Sequence, residues 1–260
     1  MCKCVICGAL TDEVFRETVL KKYEAVYNRC SSCGFLQAEK PHWLDEAYND
    51  AIATADTGLV QRNFSIASRL ASTLYFGLDH SGTYIDVAGG YGMLVRLMRD
   101  FGFEFFWDDK YCQNLLAKGY EASVISKPVS GLTAFEVMEH LVDPLDFVSE
   151  QMSRFQTKTM IFTTELYTGE QAPPKDWWYY VFPTGQHISF FQEQTLHKMA
   201  NKLGISYYSI AGMHIFSDRD IRNHYLLSNL KSKILMLSSF YVKRKLISKT
   251  MSDHIEQLDK

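Results

Sequence analysis

The chain has 260 residues and a formal net charge of −3, which argues against a protein that binds nucleic acid through a broad basic surface. Hydrophobic residues make up 47% of it and aromatic residues 14%, enough for a substantial core. The length suits one large domain, or one medium domain with a small appendage. No apolar run approaches a membrane span and the N-terminus has no signal-peptide core, so we expect a cytoplasmic protein.

The first 33 residues contain five of the six cysteines. Four of these form two matched Cys-x-x-Cys-Gly turns: Cys4, Cys7, Cys30 and Cys33. Two such turns surround one point with four thiolates, which is the ligand set of a structural zinc ion with no open coordination position. Disulfides and a redox Cys-x-x-Cys are the alternatives. They are disfavoured because nothing suggests secretion and because redox chemistry needs no second matched turn.

The residues between the two turns, 14–28, alternate charged side chains with Val, Phe and Tyr, which predicts a β-hairpin. A module of this size cannot build its own core, so its stability has to come from the metal. We therefore expect residues 1–40 to form a zinc ribbon. Helices are predicted next, over 44–48 and 59–78.

A Gly-rich turn follows a predicted buried strand at residues 83–87 and precedes an amphipathic helix that starts at Met93. This succession is typical of the first unit of a nucleotide-binding α/β domain. Glycines there let a ligand lie against bare backbone, and the helix N-terminus offers free N–H donors.

The order of residues in this turn distinguishes between cofactors. The dinucleotide pattern G-x-G-x-x-G fails because its third glycine would fall on Val95, which disfavours an NAD-dependent oxidoreductase. The acid instead precedes the glycines, where a carboxylate suits a ligand with an ammonium or sulfonium group. The segment resembles motif I of the class I S-adenosylmethionine-dependent methyltransferases, acid-x-Gly-x-Gly-x-Gly, with alanine in place of the first glycine. The resemblance implies these cofactor-binding residues: Asp86, Ala88, Gly89, Gly90, Tyr91 and Gly92.

A second buried strand is predicted over 103–107 and ends at two adjacent acids. An acid about twenty residues beyond a Gly-rich turn is placed to accept hydrogen bonds from ribose hydroxyls. The resemblance to methyltransferases favours an acid-x-Tyr pattern, which selects Asp109 over Asp108 and adds Lys110 and Tyr111 to the cofactor residues. A helix over 113–118 and a third strand over 121–125 are predicted to follow.

The predicted fourth strand, 133–137, leads into the sequence F-E-V-M-E-H-L-V-D-P. This resembles the E-V-x-E-H-x-x-D-P signature of one large methyltransferase branch, which includes quinone and sugar methyltransferases. In that branch the segment lines the cofactor pocket and borders the acceptor. The resemblance therefore implies that Glu136 and Glu139 lie at the cofactor, and that His140 is either a general base or a residue that shapes the turn.

A helix over 144–155 and a fifth strand over 158–164 precede a loop with four consecutive aromatic residues, 177–180. The loop continues to a Gly-Gln-His sequence that ends at His187. It resembles the W-x-Y…G-Q-H element of sugar-modifying methyltransferases, in which aromatic faces stack on sugar rings and Gln and His bind hydroxyls. The alternative is a hydrophobic cluster that only covers the sheet. A helix over 190–203 and strands over 205–210 and 213–216 complete the predicted domain.

The last part of the chain has a different composition. Residues 221–252 contain no acidic side chain, while Lys and Arg are interspersed with aliphatic and aromatic residues. This pattern predicts a basic helical extension. Such an extension either packs on the domain with a solvated basic face or makes weak contact with an anionic membrane surface.

Together these features predict an α/β protein in three parts: a zinc ribbon (1–40), a Rossmann-like seven-stranded class I methyltransferase domain (41–218) and a basic helical extension (219–260). We expect an enzyme that uses S-adenosylmethionine and a structural zinc and O-methylates a nucleotide-linked or glycan-bound sugar. A neutral histidine suits removal of the acceptor proton near pH 7, so His187 and His140 are the candidate bases. The alternatives are nitrogen or carbon methylation, another acceptor such as a quinone, and a non-catalytic zinc-ribbon binding protein on a degenerate methyltransferase fold.

Overall fold

The computed structural model describes residues 2–48 and 56–259, which form one sheet of four strands and one of six. The strands are β1 (Thr11–Val19), β2 (Tyr23–Cys30), β3 (Leu36–Ala38), β4 (Thr83–Val87), β5 (Glu104–Asp108), β6 (Val129–Ala134), β7 (Met160–Phe162), β8 (Ser189–Phe190), β9 (Ser206–Ile210) and β10 (Met213–Ser217). The α-helices are α1 (Leu44–Ala47), α2 (Leu59–Gly77), α3 (Met93–Asp100), α4 (Pro144–Arg154), α5 (Glu193–Leu203), α6 (His224–Asn229), α7 (Ser232–Lys245) and α8 (Thr250–Leu258).

The larger sheet has the strand order β5-β4-β6-β7-β10-β9. Strand β4 pairs in parallel with β5 and β6, whereas β10 runs antiparallel to β7 and β9. All five residues of β4 are buried, as expected for a parallel strand covered on both faces. The strand predicted over 83–87 is confirmed, and the Gly-rich turn therefore leaves the sheet from an interior strand.

The sheet separates two hydrophobic cores, because side chains of a strand alternate between its faces. Tyr84 packs on the face covered by α2, α3 and α7, and the neighbouring Ile85 packs on the face covered by α4 and α5. Helix α2 buries Ile66, Leu70 and Leu74, which lie on one face because of their helical spacing, in the first core. The layers are thus helix, sheet, helix.

The helix predicted over 113–118 is wrong. These residues form a loop in which Leu115 N and Leu116 N donate to the Tyr91 carbonyl oxygen, at 3.2 and 3.0 Å. Asn114 closes a local turn, since its Oδ1 accepts from Ala117 N at 3.0 Å. Tertiary hydrogen bonds to the Gly-rich turn replace the helical ones that the local pattern favoured.

The third strand predicted over 121–125 is also wrong. This segment contains a 3-10 turn, Ala122–Val124. Its pairing with the sheet is an isolated parallel bridge between Trp107 and Glu121. Counted over the described residues, the larger sheet has six strands and not the predicted seven.

The fourth strand is shifted toward the N-terminus relative to its prediction. Strand β6 begins at Val129 and ends at Ala134, whereas we predicted residues 133–137. The chain turns after this strand because Glu136 adopts a left-handed φ of +56°. The Glu136–His140 segment consequently lies beyond the carboxyl end of the strand, at the same edge of the sheet as the Gly-rich turn.

The smaller sheet joins the N-terminal segment to a late part of the chain. Strands β1 and β2 form the predicted antiparallel hairpin, and β3 pairs with β2. The free edge of β3 pairs with β8, which joins Leu36 to Phe190 and Gln37 to Ser189. The helix predicted over 190–203 therefore begins only at Glu193, after the chain has left this strand.

The C-terminal residues form three helices, which pack on the domain. Helix α7 lies on α2, where Ser72 Oγ donates to the Leu235 carbonyl oxygen at 2.8 Å. Helix α8 is attached by Asp253, whose carboxylate accepts two 2.7 Å hydrogen bonds from the guanidinium of Arg99. Both partners are buried. None of the helices in residues 2–48 and 56–259 has the length and apolar character needed to cross a membrane.

Candidate functional site

The Gly-rich turn after β4 has a backbone conformation that favours glycine and alanine over larger residues. Ala88, Gly90 and Gly92 have φ values of +58°, +54° and +85°. A Cβ atom on Gly89 would lie 2.9 Å from Trp107 Cδ1 and 3.0 Å from the Asp86 carbonyl oxygen. Gly92 is the N-cap of α3. The turn therefore presents bare backbone and a helix N-terminus at the edge of the sheet.

Asp109 is hydrogen-bonded to this turn. Its Oδ2 accepts from Gly90 N at 2.9 Å, and its Oδ1 accepts from Tyr111 N at 2.7 Å and Cys112 N at 2.8 Å. Trp107 Nε1 donates to the Gly90 carbonyl oxygen at 2.7 Å. Strand β5 and the loop after it thus fix the shape of the Gly-rich turn through both polar groups of Gly90.

Asp108 faces away from the Gly-rich turn. Its carboxylate forms a two-pronged ion pair with Arg154, at 2.7 and 2.8 Å. Of the two acids, Asp109 is the one bonded to the Gly-rich turn, and its contact with a ribose stays a prediction. Lys110 and Tyr111 are exposed in the loop that follows.

Asp86 is buried at the end of β4. Its Oδ1 accepts a 2.6 Å hydrogen bond from Thr133 Oγ1 on the neighbouring β6. Burial raises the pKa of Asp86 to about 7; the bond from Thr133 opposes this shift and the charge of Asp109 adds to it. A cationic ligand beside Asp86 would favour its ionised form.

Glu136 and Glu139 face different environments. Glu136 is exposed; its Oε1 accepts from Thr163 Oγ1 at 2.8 Å, and its Oε2 lies 3.6 Å from Arg62 Nε. Glu139 is completely buried, and neither of its carboxylate oxygens has a hydrogen-bond partner among the described residues. Burial raises the pKa of Glu139 to about 7, with a further contribution from the charge of Glu136, while His187 opposes the shift.

His140 and His187 lie beside Glu139. One ligand atom from each of these three residues falls within 4.8 Å of the others, and the two imidazole rings meet edge to face with centroids 4.9 Å apart. His140 Nδ1 lies 3.1 Å from the Gln186 carbonyl oxygen, and His187 Nδ1 lies 2.7 Å from that of Tyr179. A carbonyl oxygen only accepts, so each Nδ1 carries the proton and each neutral ring keeps its lone pair on Nε2.

The protonation state of the two histidines follows from their burial. Burial lowers the pKa of both His140 and His187, and in His187 the neighbouring His140 lowers it further. Both imidazoles are therefore neutral near pH 7, as either a base or a metal ligand requires. His140 and His187 are 47 positions apart in the sequence, and the structure brings the two candidate bases into one group.

The aromatic loop has two different surroundings. Tyr179 and Tyr180 are buried and pack with Tyr27 and Phe190 of the small sheet, which matches the hydrophobic-cluster alternative. Trp178 is 69% exposed. Its ring contacts Tyr179, whose ring in turn contacts His187 at centroid distances of 5.2 and 4.7 Å. Trp178 is thus the fully available stacking surface among the four aromatics.

The four cysteines of the two N-terminal turns converge. Their sulfur atoms all lie within 4.8 Å of one another, with Cys4 Sγ 3.7 Å from Cys33 Sγ and Cys7 Sγ 3.4 Å from Cys30 Sγ. All are free thiols. A tetrahedral zinc ion with Zn–S bonds of about 2.3 Å separates its sulfurs by about 3.8 Å, so the four residues fit a structural zinc.

The ribbon also holds the turn that carries His187. Trp43 Nε1, just after the ribbon, donates to the Gly185 carbonyl oxygen at 2.8 Å. Ala38 N donates to the Ile188 carbonyl oxygen at 2.9 Å, and Ile188 N donates to that of Glu139 at 2.8 Å. The backbone on both sides of His187 is therefore fixed by the N-terminal segment and by the Glu139 turn.

Several residues that shape the site carry no recognisable sequence signal. Thr133 in β6 bonds to Asp86, and Thr163, just after β7, bonds to Glu136. Trp107, which precedes Asp108 and Asp109, donates its Nε1–H to the Gly90 carbonyl oxygen. The sequence contains one signal of the group at Glu139: this residue, His140 and His187 are all of types that bind metals. Their separate motifs predict a cofactor contact and two candidate bases, and do not indicate that the three lie together.

These features define a class of protein. It has an α/β fold in which a Gly-rich turn follows an acid on an interior strand, and the polar side chains of Glu139, His140 and His187 lie at the same edge of the sheet. A family model described as a methyltransferase domain matches residues 60–210, more than half of the chain, and the chain belongs to that family. Comparison with curated protein sequences gives no match.

Several solved structures are similar at low identity. An O-methyltransferase family 2 protein from Planctomyces limnophilus, in complex with apigenin, has a TM-score of 0.45 and 14% identity over 66% of this chain and 64% of its own. Mitomycin 7-O-methyltransferase MmcR has a TM-score of 0.44 and 13% identity over 69% of this chain and 60% of its own. Magnesium protoporphyrin IX methyltransferase ChlM from Synechocystis, with bound SAM, has a TM-score of 0.41 and 13% identity over 70% of this chain and 90% of its own. This chain spans less than two thirds of the length of the first two proteins.

Proposed function

We propose that this methyltransferase uses S-adenosylmethionine and methylates an oxygen atom. The observation that carries the proposal is the Gly-rich turn, in which Gly90 borders open space where a Cβ would lie and the buried Asp86 precedes the glycines. Bare backbone beside a carboxylate fits a cationic cofactor, and Asp109 at the same turn fits ribose hydroxyls. The predicted contacts of Lys110, Tyr111 and Glu136 with the cofactor belong to the same proposal.

The cofactor supplies a methyl group on a sulfonium sulfur, which is already an activated leaving group. The protein's residues have to align the acceptor and help to remove its proton. In such a transfer the acceptor oxygen would displace the thioether sulfur at the methyl carbon, and the acceptor's proton would pass to the neutral imidazole of His187 or His140. Glu139, His140 and His187 are proposed to lie on the side where that proton leaves.

The acceptor that we propose is a sugar, nucleotide-linked or glycan-bound. Trp178 supports this choice, because an exposed indole two ring contacts away from His187 offers an apolar face for the C–H side of a sugar ring. A flat quinone-type acceptor would use the same surface and is the second candidate. We also propose a structural zinc at the four cysteines, which supports the shape of the ribbon and supplies no chemistry.

Calorimetry with S-adenosylmethionine, S-adenosylhomocysteine and NAD⁺ tests the cofactor. We expect the first two to bind with a stoichiometry of one per chain and NAD⁺ not to bind. Failure of both sulfur compounds would support the alternative of a non-catalytic binding protein. Methyl transfer from labelled cofactor to a panel of nucleotide sugars and catechols then tests the acceptor, and His187→Ala should lower turnover about a hundredfold or more without changing cofactor affinity.

A further inference from the structure

Glu139, His140 and His187 form a group of three metal-ligating side chains near the proposed acceptor side. We propose that these residues hold one divalent transition-metal ion of the Mn²⁺, Fe²⁺, Co²⁺ or Zn²⁺ type, in addition to the zinc of the four cysteines. The ion binding stands on the geometry alone. Its part in catalysis deepens the proposed methyl transfer and rests on it.

The buried carboxylate of Glu139 is the first observation. Its exposure is 0%, and both oxygens are without hydrogen-bond partners among the described residues. The neighbouring guanidinium of Arg62 is used elsewhere, by Asp56 at 2.8 Å and Glu136 at 3.6 Å. A buried carboxylate without partners is costly, and such groups in proteins are paired or coordinate a metal.

The orientation of the two imidazoles is the second observation. Each Nδ1 is bound by a backbone carbonyl oxygen, of Gln186 for His140 and of Tyr179 for His187. Metal-ligating histidines almost always donate their second ring N–H to such a group, which fixes the tautomer and the ring orientation. The arrangement leaves both Nε2 lone pairs free, and a ligand atom from each of the three residues lies within 4.8 Å of the others.

The donor types select the class of ion. Two imidazoles and one carboxylate suit Mn²⁺, Fe²⁺, Co²⁺ and Zn²⁺, whereas Mg²⁺ and Ca²⁺ prefer sites made of oxygen atoms. Three protein ligands leave coordination positions open, unlike the closed set of four cysteines. Bound there, the ion would supply Lewis-acid chemistry that favours an ionised acceptor hydroxyl. The two histidines would then be ligands, and not the general bases predicted from the sequence.

The direct test uses Mn²⁺ alone, because manganese prefers nitrogen and oxygen ligands to thiolates. Zinc-loaded protein is titrated with Mn²⁺, and the free ion is followed by electron paramagnetic resonance. We expect one Mn²⁺ per chain. Glu139→Gln and His187→Ala should each weaken it by about tenfold to a hundredfold or more. His197→Ala removes an exposed histidine of α5 and should leave the affinity unchanged.

A second measurement needs no variant. Mn²⁺ should broaden the imidazole proton signals of His140 and His187 before those of His197 and His214. Saturation without preferential broadening, or no binding by folded zinc-loaded protein, would overturn the metal site. Calorimetry with S-adenosylhomocysteine separates the two proposals. If S-adenosylhomocysteine binds and Mn²⁺ does not, the proposed methyl transfer stands and the proposed metal site is wrong. If Mn²⁺ binds and S-adenosylhomocysteine does not, the metal site stands and the proposed use of S-adenosylmethionine is wrong.

Discussion

Asp108 and Asp109 are neighbours in the sequence but have different partners. Asp109 accepts hydrogen bonds from three backbone N–H groups, one of them in the Gly-rich turn, whereas Asp108 pairs with a half-exposed Arg154. Asp109→Ala should weaken binding of S-adenosylmethionine by about 1–3 kcal/mol, because the turn and the ribose hydroxyls both lose a partly buried acceptor. Calorimetry measures the change.

Asp108→Ala is the matched control for this substitution. It removes only an ion pair near the surface, which contributes little in water, so cofactor affinity should stay almost unchanged. If Asp108→Ala weakens the cofactor more than Asp109→Ala does, the predicted register at the end of β5 is wrong.

At the scale of elements, α8 is held on α3 by a buried ion pair. Arg99 binds Asp253 through two hydrogen bonds and lies 3.6 Å from the centre of the Tyr120 ring. Asp253→Asn leaves a buried guanidinium without its main counter-ion, and we expect a loss of about 3 kcal/mol in the free energy of unfolding. Urea titration measures it, with the exposed Asp259→Asn as the control. Equal stabilities for the two variants would contradict a stabilising role for the pair.

The same ion pair predicts a dependence on pH. Burial alone would raise the pKa of Asp253, but the hydrogen bonds and charge of Arg99, with a smaller contribution from Arg96, lower it below its ordinary value. A carboxyl with a lower pKa in the folded state stabilises above its unfolded pKa of about 4 and loses that contribution as the pH falls through the folded pKa. The stability difference between wild type and Asp253→Asn should therefore be constant near pH 7 and shrink below about pH 4.

The ribbon predicts a link between the metal and the His187 turn. Cys30→Ser should release the zinc and loosen β3, which pairs with β8 next to His187. Metal analysis should find one zinc per chain in wild type, and hydrogen exchange should accelerate at Ala38 in the variant because its N–H loses the Ile188 carbonyl oxygen as a fixed acceptor. Cys112→Ser, outside the ribbon, is the control. A native disulfide among the four cysteines would refute the zinc assignment.

The sequence predicts correctly those elements that are determined by neighbouring residues, and fails where contacts with distant residues determine the structure. The buried run of β4 and the two cysteine turns are encoded by adjacent residues, and both were located correctly. The loop at 113–118 was not, because bonds to Tyr91 override its helical pattern. The grouping of His187 with Glu139 depends on β8, a strand of two residues that leaves no periodic signal.

At the scale of the whole molecule, the exposed face of α7 suggests where the protein binds in the cell. Its inner face buries Leu235, Ser239 and Val242. Its outer face exposes basic and apolar residues at helical spacing: Lys233, Leu237, Phe240 and Arg244. Because residues 221–252 contain no acid, we propose that this face rests on an anionic lipid surface.

Co-sedimentation with vesicles tests this contact. We expect binding to vesicles that contain phosphatidylserine, weaker binding at high salt, and none to neutral vesicles. Phe240→Ser should reduce the bound fraction, while Leu10→Ser, which removes an exposed apolar residue of the ribbon, should not. Equal binding to anionic and neutral vesicles, or a bound fraction that Phe240→Ser leaves unchanged, would contradict the proposed contact.

The pairing of β3 with β8 has a consequence for biosynthesis. Gln37 leaves the ribosome 152 residues before its partner Ser189, so the edge of β3 stays unpaired for most of translation. Exposed strand edges recruit other chains, and contacts this distant in sequence slow folding. Early zinc capture would keep the hairpin folded during this interval. Cells short of zinc should therefore yield less soluble protein, even though the proposed methyl transfer uses no cysteine.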